Sequence, residues 1–392
     1  MKLPPGWKRQ ALVDVADFYD HKRVPLEKAQ REVFSGQYPY YGASGVIDHV
    51  AKFIFEGDFV LLAEDGANIL NRSTPVAFRA RGQFWVNNHA HVMQPKKGVD
   101  HAFLVEYLES LNFERFNTGT TQPKLNRHVC EQIPVIVPPQ AEQKKLGEFA
   151  VAWDTAIQKT EQLIAAKERH YSHELSRLIS RGQHPHAHVG SFAEEVSARS
   201  RGGVWRTVAL SDIATIWKGQ QLNKDAMVED GAYYALNGGI KPSGRTTEWN
   251  CEAGTITVSS GGNSCGFIRF NKERFWCGGD CFALKNLSAD TDVAYLFNYL
   301  KGQQHRMTAL RTGSGIPHVY RADIEVFPVV LPDLATQTAI ARYLNALREE
   351  IDLLGQSVAA LKTQKRGLMQ KLLTGRWRVP LRQANEKETT PC

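Results

Sequence analysis

No segment of the sequence has the roughly 18 consecutive apolar residues that a transmembrane helix needs. At the start of the chain, Lys2 and Leu3 precede two prolines, and the apolar core of a signal peptide is missing. We therefore expect a cytoplasmic protein that does not contact a membrane.

The six cysteines are too few to hold a chain of 392 residues together by disulfide bonds. They are Cys130, Cys251, Cys265, Cys277, Cys281 and Cys392. Because no Cys-x-x-Cys pair occurs, buried free thiols are favoured over a zinc site. His184, His186 and His188 alternate in a proline-containing segment, which is more typical of a solvated linker than of a metal site. We predict that the protein holds no metal and no cofactor.

Common catalytic motifs are also missing. The sequence has no GxxxxGK phosphate loop, no HExxH, no GxSxG, and no Asn/Asp-Pro-Pro-aromatic tetrapeptide of the amino-methyltransferases. Glu64-Asp65-Gly66 and Gly261-Gly262-Asn263 lie at equivalent points of an internal repeat and are interpreted as turns between strands rather than catalytic or phosphate-binding loops. The sequence therefore predicts a protein without catalytic residues.

Chain length and net charge bear on the number of domains and on the kind of partner. A chain of 392 residues exceeds what one hydrophobic core usually supports, so we expect more than one domain. The net charge of +7 favours a polyanionic partner only mildly, because 41 acidic residues are interspersed with 48 basic ones.

A heptad pattern dominates the last part of the chain. Apolar or long-stemmed residues recur at alternating steps of four and three at Ile340, Leu344, Leu347, Ile351, Leu354, Val358, Leu361, Lys365, Leu368 and Leu372. A weaker version lies 194 residues earlier, at Leu146, Ala150, Trp153, Ile157, Thr160, Ile164, Lys167, Tyr171, Glu174 and Leu178. Each pattern predicts a long helix whose narrow apolar seam needs a facing helix, so the chain supplies its own coiled-coil partner.

The heptads belong to a repeat that covers most of the chain. Trp7 aligns with Trp205, and the motif Ala-Leu-x-Asp-x-Ala that begins at Ala11 recurs from Ala209, at an offset of 198 residues. Between residues 118–143 and 312–337, ten of 26 positions are identical at an offset of 194. The change of offset places the variable insertions and deletions in the middle of each half.

Each half begins with short runs of β-branched and aromatic residues separated by glycine-containing turns. The runs are Gly45–Ile54, Asp58–Leu62 and Gln83–Met93, then Gly254–Ser259, Gly266–Phe270 and Arg274–Leu284. They predict compact mixed or mainly β domains. A short helix (His101–Leu111 or Val293–Thr308) and a proline-flanked extended segment (Ile133–Pro139 or Phe327–Asp333) follow in each half. Each long helix, at about 36 residues, would then reach roughly 50 Å.

Motifs at the helix ends resemble a known family. Val137-Pro-Pro-Gln-Ala-Glu-Gln143, Trp153-Asp154 and Leu178-Ile-Ser-Arg-Gly182 are similar to motifs of the specificity subunits of type I restriction-modification systems. Leu331-Pro-Asp-Leu-Ala-Thr-Gln337 and the segment 367–376 repeat the pattern. Two departures are Thr336, where the family usually has Glu, and Arg348, which aligns with Asp154.

The resemblance implies an α+β protein with two target-recognition domains joined by two long antiparallel helices and related by a pseudo-twofold axis. Each domain would read one half of a bipartite double-stranded DNA target, and the helices would set the spacer between the halves. The subunit would have no enzymatic activity and would seat two methyltransferase subunits and, in the full complex, two restriction-translocase subunits. The predicted segments are 1–138 (first domain), 139–182 (first helix), 183–203 (linker), 204–332 (second domain), 333–376 (second helix) and 377–392 (disordered tail).

Amide, hydroxyl and guanidinium side chains in the loops are the candidates for contacts with DNA, because such groups read base edges and bind phosphates. They are Tyr40, Tyr41, Asn87, Asn88, Thr120, Thr121, Gln122, Lys124, Arg127, Asn237, Lys241, Arg245, Arg311, Ser314, His318 and Arg321. For the two tyrosines, core packing is the stronger interpretation, and the two asparagines fit a turn equally well. An orphan DNA-binding protein or coiled-coil scaffold without restriction partners is the alternative function.

Overall fold

The computed structural model describes residues 3–179, 205–313, 315 and 317–380. The predicted linker, the three alternating histidines, residues 180–182, Ser314, and Cys392 with the rest of the chain beyond 380 lie outside the described residues. The chain divides into two compact units, Met1–Glu161 with Gln356–Cys392 and Gln162–Gly355. Each unit combines one globular domain with a part of each long helix.

The first unit is built on a six-stranded sheet. Its strands are β1 (Lys8–Ala11), β2 (Ala16–Phe18), β3 (Ser35–Gly42), β4 (Gly45–Val50), β5 (Phe55–Ala63), β6 (Ala77–Val86), β7 (Ala90–Pro95) and β8 (Pro134–Val137). Its short helices are α1 (Leu12–Val15), α2 (Lys28–Val33), α3 (Asn68–Asn71), α4 (His101–Ser110) and α5 (Arg127–Glu131). The sheet has the order β2-β7-β5-β6-β3-β4, and β1 pairs separately with β8.

Strand β5 shows how the sequence specifies this core. Successive side chains of a strand point to opposite faces, so alternate residues enter different clusters. Val60 and Leu62 pack in the cluster that includes residues of α4, whereas Phe59 and Leu61 pack with aromatic residues of β6 on the other face. Both faces of β5 are therefore covered.

The second unit repeats the plan with smaller sheets. Its strands are β9 (Arg206–Ala209), β10 (Thr215–Lys218), β11 (Tyr233–Leu236), β12 (Gly244–Thr246), β13 (Thr255–Ser259), β14 (Ile268–Asn271), β15 (Phe275–Cys277), β16 (Cys281–Lys285) and β17 (Pro328–Leu331). Its short helices are α7 (Leu210–Ile213), α8 (Val293–Gly302), α9 (Gln304–Ala309) and α10 (Arg321–Glu325). The sheet orders are β10-β16-β13-β14, β12-β11-β15 and β17-β9.

Three predicted elements are interrupted. The run Gln83–Met93 forms parts of β6 and β7 with a turn between them, and Arg274–Leu284 forms β15 and part of β16 around a Gly-Gly-Asp turn. The helix predicted over Val293–Thr308 breaks at Gln303, between α8 and α9. The helix ends at Gly302, which packs closely against the first long helix, and the Gln304 side chain turns to the backbone of Gly266.

Two helices of 40 residues complete the fold, α6 (Gln140–Ile179) and α11 (Leu334–Leu373). In the first unit, Asp154 and Glu161 of α6 form salt bridges with Lys365 and Lys362 of α11. As one sequence position rises the other falls, so the helices run antiparallel. In the second unit, Lys167 pairs with Glu350 and Tyr171 contacts Arg348. Here too the residue number rises along one helix as it falls along the other. These features confirm the predicted α+β class with two mixed domains and two long antiparallel helices.

The predicted seam positions are covered along both helices. Buried seam residues are Leu146, Ala150, Ile157, Tyr171, Glu174, Leu178, Ile340, Leu344, Val358 and Leu372. Half-buried ones are Trp153, Thr160, Ile164, Lys167, Leu347, Ile351, Leu354, Leu361, Lys365 and Leu368. Residues off the seam, such as Leu163 and Leu353, are 45% and 55% exposed. Within the described residues, no helix combines the length and apolar character needed to cross a membrane.

A repeated glutamine joins each domain to its helix. Gln143 accepts a hydrogen bond from the N–H of Asp100, the N-cap of α4, and donates to Pro138 and Gly98 carbonyls. Gln337 makes the matching contacts with Asp292 N–H, Pro332 O and Asp290 O. Both glutamines are 1% exposed. A buried amide with its donors and acceptors satisfied fixes the angle at which the chain enters the helix.

A second docking contact differs between the units. In the first, the Lys365 ammonium lies 2.8 Å from Glu106 of α4 and 2.7 Å from Asp154. In the second, the Tyr171 hydroxyl donates to Asn298 of α8 over 3.0 Å, and Arg348 stacks on the tyrosine ring. Tyr171 aligns with Lys365, and Arg348 with Asp154, at the offset of 194. Arg348, which departs from the family pattern, is therefore paired with a second changed residue, Tyr171.

Replacing Leu344 with Ala should lower the free energy of unfolding by about 2–5 kcal/mol, because this seam residue is 0% exposed. Leu353→Ala, on the same helix but off the seam, should change it by about 0.5 kcal/mol or less. Urea denaturation of the two variants measures the difference. Equal losses would show that the seam register is wrong.

Candidate nucleic-acid interface

Three backbone segments meet beside the central strands of the first unit. They are the turn after β5 (64–66), the turn between β6 and β7 (87–89) and the loop 117–126. The N–H of Glu64 donates to His89 O over 2.9 Å, and the N–H of Leu125 donates to Glu64 O over 2.7 Å. The N–H of Gly66 donates to Pro123 O over 3.0 Å. We call these segments and their hydrogen bonds the loop frame.

The second unit contains the same loop frame. The N–H of Ser260 donates to Asp280 O over 2.7 Å, and the N–H of Val319 donates to Ser260 O over 2.9 Å. The N–H of Gly262 donates to Pro317 O over 3.0 Å. The backbone arrangement is thus independent of the side chains that it carries.

A glycine is needed at one point of each loop frame. Gly66 has φ +110° and Gly262 has φ +76°, backbone angles that other residues rarely adopt. The two glycines align at an offset of 196 residues. The turns predicted at 64–66 and 261–263 therefore hold the loop in place through their backbone.

The side chains on the loop frame differ between the units. Aligned pairs are Glu64 and Ser260, Asp65 and Gly261, His89 and Asp280, and Lys124 and His318. The exposed tip is Thr120-Thr121-Gln122 in the first unit. The two frames offer different donors, acceptors and charges to any ligand that covers them.

Asn117 closes the loop of the first unit. Its Oδ1 accepts the N–H of Gly119 over 3.0 Å and the N–H of Lys124 over 2.9 Å. The turn is tight, since a Cβ atom on Gly119 would lie 1.8 Å from Gln122 O. The aligned residue in the second unit is Arg311, which cannot accept a hydrogen bond through its side chain.

A buried histidine lies under the first loop. His91, on β7, is 1% exposed, with Nδ1 2.7 Å from Asp20 Oδ2 and Nε2 2.7 Å from Leu125 O. Both neighbours are acceptors, so both ring nitrogens carry a proton. Burial alone would lower the pKa of His91, but the hydrogen bond with Asp20 and the neighbouring Cys130 raise it to about 10. Burial alone would raise the pKa of Asp20, but the bond from His91 lowers it below its ordinary value.

Glu64 extends this charged cluster toward the surface. Arg23 contacts its carboxylate at 2.6 Å and Lys124 contacts it at 3.4 Å. His89, on the neighbouring turn, lies 2.8 Å from Asp65. In the second unit, Ser260 aligns with Glu64, and its Oγ accepts a hydrogen bond from Lys218 over 2.9 Å.

Both tyrosines pack against other side chains, as the stronger of the two sequence interpretations predicts. Tyr40 is 1% exposed, and its hydroxyl accepts the N–H of Leu26, so it is a core residue. A side chain enclosed in this way cannot reach DNA, and the expectation that Tyr40 contacts bases is wrong. Tyr41 is half-buried and stacks on Phe78, and burial raises its pKa.

The other candidates of the first unit fall into two groups. Asn88, Thr120, Thr121 and Gln122 are exposed on the loop frame. Asn87 is 5% exposed and accepts the N–H of His89, so it shapes the turn. Lys124 is half-buried beside Glu64.

Arg127 and Arg321 occupy equivalent places at the start of α5 and α10. Each forms a salt bridge with a glutamate four residues later, Glu131 at 2.8 Å and Glu325 at 2.7 Å. Both arginine side chains keep about half of their surface exposed, at 49% and 56%. They flank the loop rather than form its tip.

The candidates of the second unit are spread more widely. His318 is exposed and pairs with Gly261 in the loop frame, and Asn237 accepts the N–H of Asp280 over 3.4 Å. Arg311 and Lys241 are exposed. Arg245 donates to backbone carbonyls just before β11 and serves the fold there.

Sequence reasoning missed the residues beneath the loop. Asp20, His91 and Lys218 carry no local motif in the sequence. Asp65 lies in a turn that the sequence predicts, and the repeat of that turn is the one sequence signal for the loop frame. The pairing of Asp20 with His91 depends on strands that are distant in sequence.

All five described cysteines are buried and free of disulfide bonds. Among the residues that the structure describes, no group of three or more His, Cys, Asp and Glu side chains is arranged to hold a metal ion.

Comparison with known proteins decides the family. The model of the type I restriction modification DNA specificity domain matches residues 4–168 and again residues 203–363. The chain belongs to this specificity family. The two matches correspond to the two halves of the repeat.

Relatives carry the same description. A putative type I restriction enzyme specificity subunit of Haemophilus influenzae is 39% identical over 141 residues, 36% of this chain and 35% of that protein. A putative type I specificity subunit of Mycoplasma pneumoniae is 30% identical over 172 residues, 43% of this chain and 46% of that protein. The chain thus spans less than half of the length of either relative.

Solved structures share the fold over almost the whole chain. An S subunit of a type I restriction-modification system from M. genitalium has a TM-score of 0.67 at 18% identity, covering 95% of this chain and 98% of that one. A chain from a study of assembly and conformational transition of the type I system has a TM-score of 0.55 at 17% identity, covering 96% and 100%. At such identities the likeness concerns the fold.

Replacing Asn117 with Ala should release the loop of this specificity domain without unfolding it. The N–H of Lys124 loses its acceptor, and its hydrogen exchange should become roughly fivefold faster, equivalent to about 1 kcal/mol. Asn112→Ala is the control, because Asn112 accepts the N–H of Glu114 in a turn outside the loop frame. Unchanged exchange at Lys124 would mean that Asn117 does not hold the loop.

Proposed function

We propose that the chain is the DNA-recognition subunit of a type I restriction-modification complex and that each unit reads one half of a bipartite target. The observation that carries the proposal is the loop frame, in which the same backbone hydrogen bonds present different side chains in the two units. A common backbone docks on DNA in a common way, whereas different side chains select different bases.

The chemistry of the exposed tips suits base edges. Gln122 can donate to and accept from one base, as the side-chain amides that recognise adenine do. Thr120 and Thr121 provide hydroxyl groups, and in the second unit His318, which aligns with Lys124, provides an imidazole. Lys241, Arg311, Arg127 and Arg321 are exposed cations for phosphates. Phosphate contacts would position each domain, and the tips would specify the sequence.

Catalysis belongs to partner subunits in this proposal. Two methyltransferase subunits would bind the specificity subunit, and two restriction-translocase subunits would join the full complex. Support comes from apolar residues that the long helices leave exposed, including Val151 at 51%, Leu163 at 45% and Leu353 at 55%. Surfaces of this kind favour association with another protein.

The long helices would set the distance between the two half-sites. Inserting four residues between Glu161 and Gln162, and four between Gly355 and Gln356, adds about one helical turn to each helix, or roughly 6 Å. These are the points at which the two compact units divide. The preferred spacer should lengthen by one or two base pairs while both half-sites keep their sequence. Mapping of methylated sites in cells that express the complex measures the change.

The matched control places the same four residues within the predicted linker, 183–203. This variant should methylate the wild-type target with the wild-type spacer. A changed half-site in the helix variant, with an unchanged spacer, would contradict the division of roles between domain and helix. A wild-type target without two separated halves would contradict the proposed function itself.

A further inference from the structure

The two units differ most sharply in the layer directly beneath the loop frame. In the first unit, His91 connects the carboxylate of Asp20 to the carbonyl of Leu125, the residue that follows Lys124 in the loop. Leu125 is also the residue whose N–H donates to Glu64 O. The imidazole therefore holds the end of the loop from below while the turn at Glu64 holds it from the side.

Strand register identifies the matching residues of the second unit. β2 and β10 align at the offset of 198, so Lys218 takes the place of Asp20. Lys218 pairs with Phe282 across β10 and β16, and Val258 pairs with Phe282 as Leu62 pairs with His91. Phe282 therefore takes the place of His91. A phenyl ring cannot donate to a loop carbonyl.

The second unit is organised around a different contact. The Lys218 ammonium lies 4.6 Å from the centre of the Phe282 ring and donates to Ser260 Oγ over 2.9 Å. An acid–imidazolium pair and a carboxylate in one unit thus correspond to an ammonium, a phenyl ring and a hydroxyl in the other. Within each unit these side chains complement one another in charge and hydrogen bonding. Replacing only one of them by the residue of the other unit would leave a buried charge without its partner.

We propose that the Asp20–His91 pair is a positioning element for DNA recognition by the first domain alone, and that the second domain positions its loop without it. The inference rests on the proposed function, since it concerns discrimination between bases. His91 touches no exposed surface, being 1% exposed, so it acts on DNA through Leu125 and the loop. Loss of the pair should reduce discrimination at one half-site and leave the other unchanged.

Several other groups face the pair and set its response to pH. Glu64 Oε2 lies 3.8 Å from His91 Nδ1, and Arg23 lies 3.7 Å from Asp20. Cys130 of α5 contributes to the raised pKa of His91, and Lys124 neutralises Glu64 from the loop side. A pKa of about 10 against 6.5 for an ordinary histidine means that the contribution of the His91 charge is full below about pH 6.5, declines as the pH rises further and is lost above about pH 10. The wild-type pair stays charged between about pH 6 and 9.

Asp20→Asn removes the charge of this residue but keeps its size, so the variant tests the charge separately from the packing. Without the carboxylate, burial is opposed only by Cys130 and Glu64, so the pKa of His91 falls and the ring loses one N–H at a lower pH than in the wild type. The amide then donates to the free Nδ1, and the bond from Nε2 to Leu125 O loses its positive charge and weakens, because a charge-assisted hydrogen bond is roughly twice as strong as a neutral one. Discrimination at the first half-site should fall about tenfold between pH 6 and 8.5 in this variant, while the wild type stays constant.

The experiment uses the full chain assembled with its methyltransferase subunits, and duplexes that carry one base change in either half-site. The half-site read by the first domain is the one whose preference changes in Gln122→Ala. Binding to cognate and altered duplexes is measured for wild type, Asp20→Asn and His91→Phe, which has the residue of the second domain. Leu104→Ala is a control for general loss of stability, because Leu104 is a core residue of α4.

His91→Phe should lose roughly tenfold discrimination at the first half-site and less than twofold at the second. Equal losses at both half-sites, or the same loss in Leu104→Ala, would overturn the inference, as would a pH-independent Asp20→Asn. If His91→Phe does not fold, the pH profile of Asp20→Asn at the two half-sites decides alone. Absence of any bipartite preference in the wild type would instead refute the proposed function.

Discussion

The packing of two antiparallel helices along a heptad seam is the constraint on which each unit depends. The seam covers an apolar stripe that neither helix could bury alone. Each domain then attaches to its helices through a buried glutamine, Gln143 or Gln337, whose amide is fully hydrogen-bonded. A domain fixed to a helix in this way presents its loop in a defined direction.

Duplication and divergence have acted on different parts of the molecule. The backbone hydrogen bonds of the loop frame and the glutamine junction are the same in both units, because they require only backbone groups, two glycines and one amide. Side chains around them have changed in matched sets. Lys365 with Glu106 and Asp154 corresponds to Tyr171 with Asn298 and Arg348.

The sequence alone predicts those features that depend on local periodicity or on repetition. The heptads predict both long helices, and the repeat places the turns at 64–66 and 261–263 within one residue of equivalent points, since Gly66 aligns with Gly262. Neither pattern indicates that His91 lies between Asp20 and Leu125, since these residues are brought together by strand pairing over long sequence separations. Tyr40 shows the same limit, because an aromatic residue in a strand has the same sequence pattern whether it faces the core or the ligand.

The central claim is that the two units are equivalent recognition modules whose differing side chains select different bases. The most direct measurement replaces residues 204–332 with a second copy of residues 1–138. Tyr171→Lys and Arg348→Asp are added, so that the grafted Glu106 finds its charged partner on the helices. Mapping of methylated sites should yield a target whose two halves are inverted copies of one sequence. An unchanged asymmetric target, or two different halves, would contradict the claim.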